Sequence, residues 1–279
     1  MREYTYQWIP AEYTEDGKEP ILKVTKSSFG SFQWCPRKYS FSYIDRLRQD
    51  QTEAMRKGTI VHNAREDFFN EFDVKKAENM SHRELVNYCV ALHPIDEYAE
   101  MYETMSIFEA NRFMDMKNNG MTLENFIPAA NEVTLDAEIE VSGYKIHLQG
   151  IIDRMFFEDG NYIPFELKTG LWKDYKTTSM RKEMAFYKLL YENCPDEILI
   201  EKGLEPNLSM SHWGWYYPAS NYVLVEPVKK RSETAVIKGI QDLIEAYENS
   251  VFPTKYFYKT CASCSFFNIC EAANQESWV

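Results

Sequence analysis

The sequence predicts one α/β domain with a helical insertion, on three observations. From Gly58 to Met116 apolar residues recur at three- and four-residue spacing (Leu85, Tyr88, Cys89, Leu92; Tyr98, Met101, Met105, Phe108), the period of helices that bury one face. From Val133 to Lys168 the period becomes two, with turn residues between the runs, which predicts three antiparallel strands. Beyond these, a helix over 179–192, strands over 212–217 and 222–228 and a helix from about Ser232 to Tyr247 complete the mixture.

In chain order, the start carries Pro10, Gly17 and Pro20 and reads as irregular. Ser27 before an aromatic-rich run predicts a capped, buried helix reaching about Tyr43. Pro36 interrupts it and places Cys35 at a bend or between two short helices. Gly120 marks the end of the helical region. Val133, Leu135, Ala137, Ile139 and Val141 alternate as a strand, Gly143 turns the chain into 144–158, and Asp159-Gly160 is a hairpin signal leading into 162–168. With no internal repeat and no linker composition, residues 1–279 read as one domain. Residues 63–125 are the helical insertion, and 255–279 form a C-terminal cysteine segment.

Apolar residues at 44% and aromatic residues at 15% favour a globular chain over a disordered one. The first residues lack the apolar run of a signal peptide and no stretch is long enough to span a bilayer, so a cytoplasmic protein with no membrane partner is expected. The formal charge of −12 argues against a generally polyanion-binding surface. Basic residues nevertheless gather in two stretches, one containing Arg37 and Lys38 and the other Lys173, Lys176, Arg181 and Lys182; each reads either as a local contact for a polyanion or as solvated charge.

Asp153, in Gly-Ile-Ile-Asp-Arg, is read as ending one strand, and Glu166-Leu-Lys168 lies in the next. The strand period puts Glu166 and Lys168 on one face, where a carboxylate that binds metal has an ammonium beside it. Carboxylates are hard ligands for Mg²⁺ or Mn²⁺. Either motif alone also reads as a surface charge pair. His62, in Gly-Thr-Ile-Val-His, adds an imidazole from a helix, and Glu183 and Tyr187 stand one helical turn apart. Separately, Cys261-x2-Cys264-x5-Cys270 offers three thiolates to one metal centre. Spacing does not choose the fourth ligand among Cys35, Cys89 and Cys194, nor zinc over an iron-sulfur cluster.

The order G-x-x-x-H, G-I-I-D, E-x-K and a polar residue one turn before Tyr resembles the RecB-type branch of the PD-(D/E)XK nucleases. That resemblance implies a restriction-endonuclease-like core, with a mixed central sheet flanked by helices. It assigns His62, Asp153 and Glu166 as ligands of Mg²⁺ or Mn²⁺, Lys168 as the catalytic partner, and Glu183 and Tyr187 as further site residues. Family members usually have Gln at the position of Glu183. Iron-sulfur members, including AddB-type and CRISPR spacer-acquisition nucleases, have one cysteine before the core and three after it. The resemblance therefore selects Cys35 and implies a 4Fe-4S cluster clasping residues 27–45 to 255–279. The implied function is a metal-dependent DNA nuclease, an exonuclease on ends or single strands, working with a helicase or a recombination or integration partner. The alternative is a non-catalytic iron-sulfur DNA-binding subunit.

Overall fold

The computed structural model describes residues 8–9 and 21–274. Pro10, Gly17, Pro20 and residues 275–279 lie outside them. Two two-residue turns shape the centre of the sheet. Ser142 and Gly143 (φ +54° and +80°) join β3 (Ala130–Val141) to β4 (Tyr144–Glu158), and Asp159 and Gly160 (φ +48° and +74°) join β4 to β5 (Asn161–Leu167). Positive φ at both central residues matches the right-handed twist of the flanking strands, so each turn closes a tight hairpin.

Strand β4 is the axis of a seven-stranded mixed sheet, with β3 along one edge through register pairs from Val141↔Tyr144 to Ala130↔Met155. Its other edge changes partner partway. β2 (Ile21–Thr25) runs parallel to it over Ile146–Gln149, and β5 runs antiparallel to it over Arg154–Glu158. A two-residue strand β1 (Trp8–Ile9) pairs outside β2, while β6 (His212–Tyr217) and β7 (Tyr222–Pro227) continue beyond β5. Residues 150–153 lie in the fork where β2 has ended and β5 has yet to begin pairing. Asp153 is thus inside a 15-residue strand, not at a strand end, because β4 continues to pair with β3 and then with β5 beyond it. The irregular start expected before Ser27 also needs correcting, since it contains β2, whose partner lies more than a hundred residues away.

Thr25 caps α1 (Lys26–Trp34), with Ser28 returning the bond to complete a capping box. The cap is therefore two residues before the expected Ser27. Cys35 separates α1 from α2 (Pro36–Tyr39), which runs into a π-helical turn over Ser40–Ile44. Four helices follow: α3 (Glu53–Glu71), α4 (Val74–Glu78), α5 (His82–Leu92) and α6 (Ala99–Asn118). They enclose a core of their own around Phe68, Phe72, Phe113 and Phe126, with Cys89 inside it. Through Val61, Met101 and Met105 they cover one face of the sheet at Phe165, Leu167 and Tyr216.

The opposite face carries the main core. α7 (Thr177–Glu192), the short α8 (Asp196–Glu201) and α9 (Lys230–Asn249) pack Phe186, Leu190, Leu199 and Ile240 onto Leu135, Leu148 and Ile152. Helices on both faces make this the mixed α/β architecture expected. A methyl group added at Gly214 of β6 would stand 2.7 Å from the Phe165 ring and 3.0 Å from the Leu224 carbonyl. Gly214→Ala is expected to destabilise the fold by about 1–3 kcal/mol in urea unfolding, because backbone on one side cannot move away.

Candidate active site

The fork in the sheet sets the site. Asp153 points from the middle of β4, and one of its oxygens accepts the Leu167 backbone N–H at 2.8 Å, which ties β4 to β5 where their pairing begins. His62, from α3, lies with Nδ1 3.6 Å from Asp153 and Nε2 3.1 Å from the Leu167 carbonyl. Glu132, from β3, completes the group, its carboxylate 3.2 Å from His62 Nδ1. Ligand atoms of His62, Glu132 and Asp153 all lie within 4.8 Å of one another, a spacing that fits one metal ion.

Sequence reasoning missed Glu132. Two neighbouring pairs, Asn131↔Arg154 and Val133↔Ile152, place it opposite Asp153, so counting back from the Ser142-Gly143 turn would have found it. Its φ of +49° is uncommon for a side chain larger than glycine's inside a strand. Strain of this kind concentrates at functional sites.

Beside this group four charges alternate in a ring. Lys26, the first residue of α1, bonds Glu183 at 2.6 Å and Glu166 at 3.1 Å. Lys168 bonds the same two carboxylates, with Glu183 at 2.8 Å. Tyr187 donates its hydroxyl to the other Glu166 oxygen at 2.8 Å. Lys26 was not foreseen, because only the pairing of β2 with β4 brings α1 here. Glu183 is paired with two ammonium groups, both of which it shares with Glu166. Tyr187, which the resemblance assigns to the site, is fully buried, and it meets the site through its bond to Glu166 and through its ring, which lies 5.3 Å from the Lys26 ammonium. It is a positioning residue.

Electrostatics follow from burial and these contacts. Burial and Asp153 push the Glu166 carboxyl up, but Lys168 and Lys26 outweigh them and hold it below the ordinary carboxylate range. Burial works against the Lys168 ammonium, yet Glu166, Glu183 and Asp153 hold it well above its usual value. For His62, burial is outweighed by the Glu132 hydrogen bond and by Asp153, and the imidazole is raised.

The predicted basic contacts divide. Lys173 is exposed, Lys176 donates to the Leu171 carbonyl, and Lys182 bonds Gln33 at 2.7 Å at the start of α7. Arg37 pairs with Glu271, and Lys38 stacks on Trp34 at 4.6 Å. Arg181 is committed elsewhere, because its guanidinium grips Glu226 with two bonds of 2.5 and 2.6 Å. Burial raises the Glu226 carboxyl, but Arg181, Lys229 and Trp213 pull it down to about 2. A depressed carboxylate stabilises the fold above its unfolded value and loses that contribution as pH falls towards about 2. Arg181→Ala is expected to cost about 1–3 kcal/mol at neutral pH, a buried-pair loss discounted for partial exposure, and to flatten the melting temperature's decline below pH 4.5.

The cysteines form a second group. Cys35, Cys261, Cys264 and Cys270 line one small hollow between α2 and the short α10 (Tyr258–Ala262), beside Phe41 and Phe267. Burial and the neighbouring Cys35 and Cys270 sulfurs push the Cys264 thiol up, against Lys38. The Lys255 backbone N–H points at the Cys35 sulfur from 3.5 Å. Cys89 is buried in the core of the four helices and Cys194 in the main core against the sheet, and neither lines this hollow.

No curated protein matches in sequence. Among solved structures, SSO0001 is similar at 18% identity over 77% of this chain and 98% of its own, with a TM-score of 0.37. Rai1 of Scheffersomyces stipitis is similar at 10% identity over 85% of this chain and 63% of its own, with a TM-score of 0.28. At these scores neither bears on mechanism. The family model for the PD-(D/E)XK nuclease superfamily, however, matches residues 23–271, from β2 through the last of the four clustered cysteines. The chain belongs to the PD-(D/E)XK nuclease superfamily.

Proposed function

We propose that this protein is a metal-dependent DNA nuclease that acts on single strands or free ends and carries a four-cysteine iron-sulfur cluster. The observation that carries the nuclease reading is the convergence, at one fork in the sheet, of the His62, Glu132 and Asp153 group with the Glu166–Lys168 pair. One imidazole and hard carboxylate oxygens suit Mg²⁺ or Mn²⁺, held by His62, Glu132 and Asp153 with Glu166 adjoining. When bound, such an ion polarises a phosphoryl oxygen and acidifies water.

The chain's own groups supply the rest. Lys168, held between the Glu166 and Glu183 carboxylates, is placed to donate a hydrogen bond to water or to the phosphate and to stabilise growing negative charge. Tyr187 and Lys26 fix the Glu166 carboxylate between them. Glu183 holds both lysines in place.

The cluster reading rests on four thiols around one hollow, with aromatic rings beside it and the Arg37 and Lys38 cations close by. Soft thiolates suit iron-sulfur clusters, and zinc would accept the same donors, so metal content separates the two. A cluster here would tie α2 to the C-terminal segment across the whole chain, offsetting the entropy of ordering both.

Action on ends is tested with linear and circular single-stranded DNA in Mg²⁺ or Mn²⁺. Degradation of the linear form with the circle spared is expected. Equal cutting of the circle would replace the end-dependent reading with an endonuclease.

A further inference from the structure

A groove of about 860 Å³ runs along α1 and the start of α7, walled on its far side by residues 255–257. It begins at Lys26 and Glu183, two members of the charged ring. It ends at Lys255 and Thr260, which also line the cysteine hollow. Phe29 and Phe186 lie in its lining, and both are buried. Its rim is aromatic and open to solvent: Tyr175 is 81% exposed, Phe257 60%, Tyr256 39% and Trp34 36%. Large rings held in water beside a groove are costly unless a partner covers them.

Two cations face the same space. Lys182 bonds the Gln33 side chain at 2.7 Å and Lys255 the Gln33 carbonyl at 3.2 Å, so both are anchored on a neutral residue. Burial and the Lys255 ammonium pull the Lys182 ammonium below its ordinary value, against the Asp242 carboxylate, so two like charges share this side of the groove. A phosphate bridging them would relieve that repulsion. In a chain of net charge −12, a paired cation site beside exposed rings is a local exception that suits an anionic, aromatic-bearing ligand.

We propose that this groove is the track of one unpaired nucleic-acid strand, whose bases stack on Tyr175, Phe257 and Trp34 and whose backbone crosses Lys182 and Lys255 on its way to the metal group. The assignment rests on the nuclease reading above and adds to it the strand's path and its state. Stacking on side-chain rings requires base faces that a duplex keeps covered, so the groove selects single strands. Its continuity with Lys26 and Glu183 delivers the phosphate beside Glu166 and Lys168. Because Trp34, Lys255 and Thr260 border both spaces, the cysteine segment forms one wall of the track.

The test is fluorescence anisotropy in EDTA, where metal-dependent cutting is silent, using a labelled oligothymidylate about 20 nucleotides long and a duplex of equal length. The wild-type protein is expected to bind the single strand about tenfold more tightly than the duplex, and Tyr175→Ala and Phe257→Ala each to weaken it by about tenfold. Lys182→Ala and Lys255→Ala are each expected to reduce the salt slope of log affinity by about 0.7. Tyr175 and Phe257 are exposed, so unchanged melting temperatures accompany these effects. If the wild type cuts DNA while all four variants bind like it, or if the duplex binds as well as the single strand, the groove assignment is overturned and the nuclease reading stands. If the wild type neither binds the oligonucleotide nor cuts with Mg²⁺ or Mn²⁺, both are overturned.

Discussion

Asp153→Asn is expected to reduce DNA cutting by about 10³-fold or more while leaving the melting temperature nearly unchanged. Asparagine is the same size and its side-chain oxygen still accepts the Leu167 N–H, so the tie between β4 and β5 survives. What is lost is the negative charge facing His62 and Glu132, and with it much of the affinity for a divalent ion. Lys168→Ala removes a donor, not a ligand, and is expected to cost about 10²- to 10³-fold in rate with metal affinity retained. Rates measured against Mn²⁺ concentration separate the two: excess metal partly rescues the first variant and never the second. Equal rescue of both would mean that Lys168 serves only to hold Glu166.

Cys264→Ala is expected to abolish the visible absorption of anaerobically purified protein and to lower its stability by several kcal/mol, about what breaking a metal-linked long-range tie costs. Cys35→Ala is expected to have the same effect, because it removes the one ligand contributed from the N-terminal helices. Cys89→Ala serves as the control. It lies in the core of the helical insertion, so it is expected to keep the colour and lose only packing. Iron and sulfide analysis reads the outcome: zinc without iron would replace the cluster with a structural zinc site, and a colourless, metal-free wild type would remove the clasp.

Local signals in the chain carried the centre of the fold. The alternation of β3 and the two glycine-containing turns fix three strands and their register, and the E-x-K spacing places Glu166 and Lys168 together without reference to anything distant. The parts that were not legible depend on non-local pairing. β2 is five residues long and follows a segment rich in turn formers, and only its parallel contact with β4 makes it a strand and carries Lys26 into the site. Arg181 looked like one of a basic group because its partner, Glu226, stands 45 residues downstream on β7.

The reading of Asp153, Glu132, His62 and Lys168 as one catalytic group is tested most directly by incubating the wild-type protein with end-labelled single- and double-stranded DNA, with and without Mn²⁺. Cutting that appears only with the metal and disappears on chelation is the predicted result, whereas DNA bound but never cut in Mg²⁺ or Mn²⁺ would contradict it and leave a non-catalytic DNA-binding subunit.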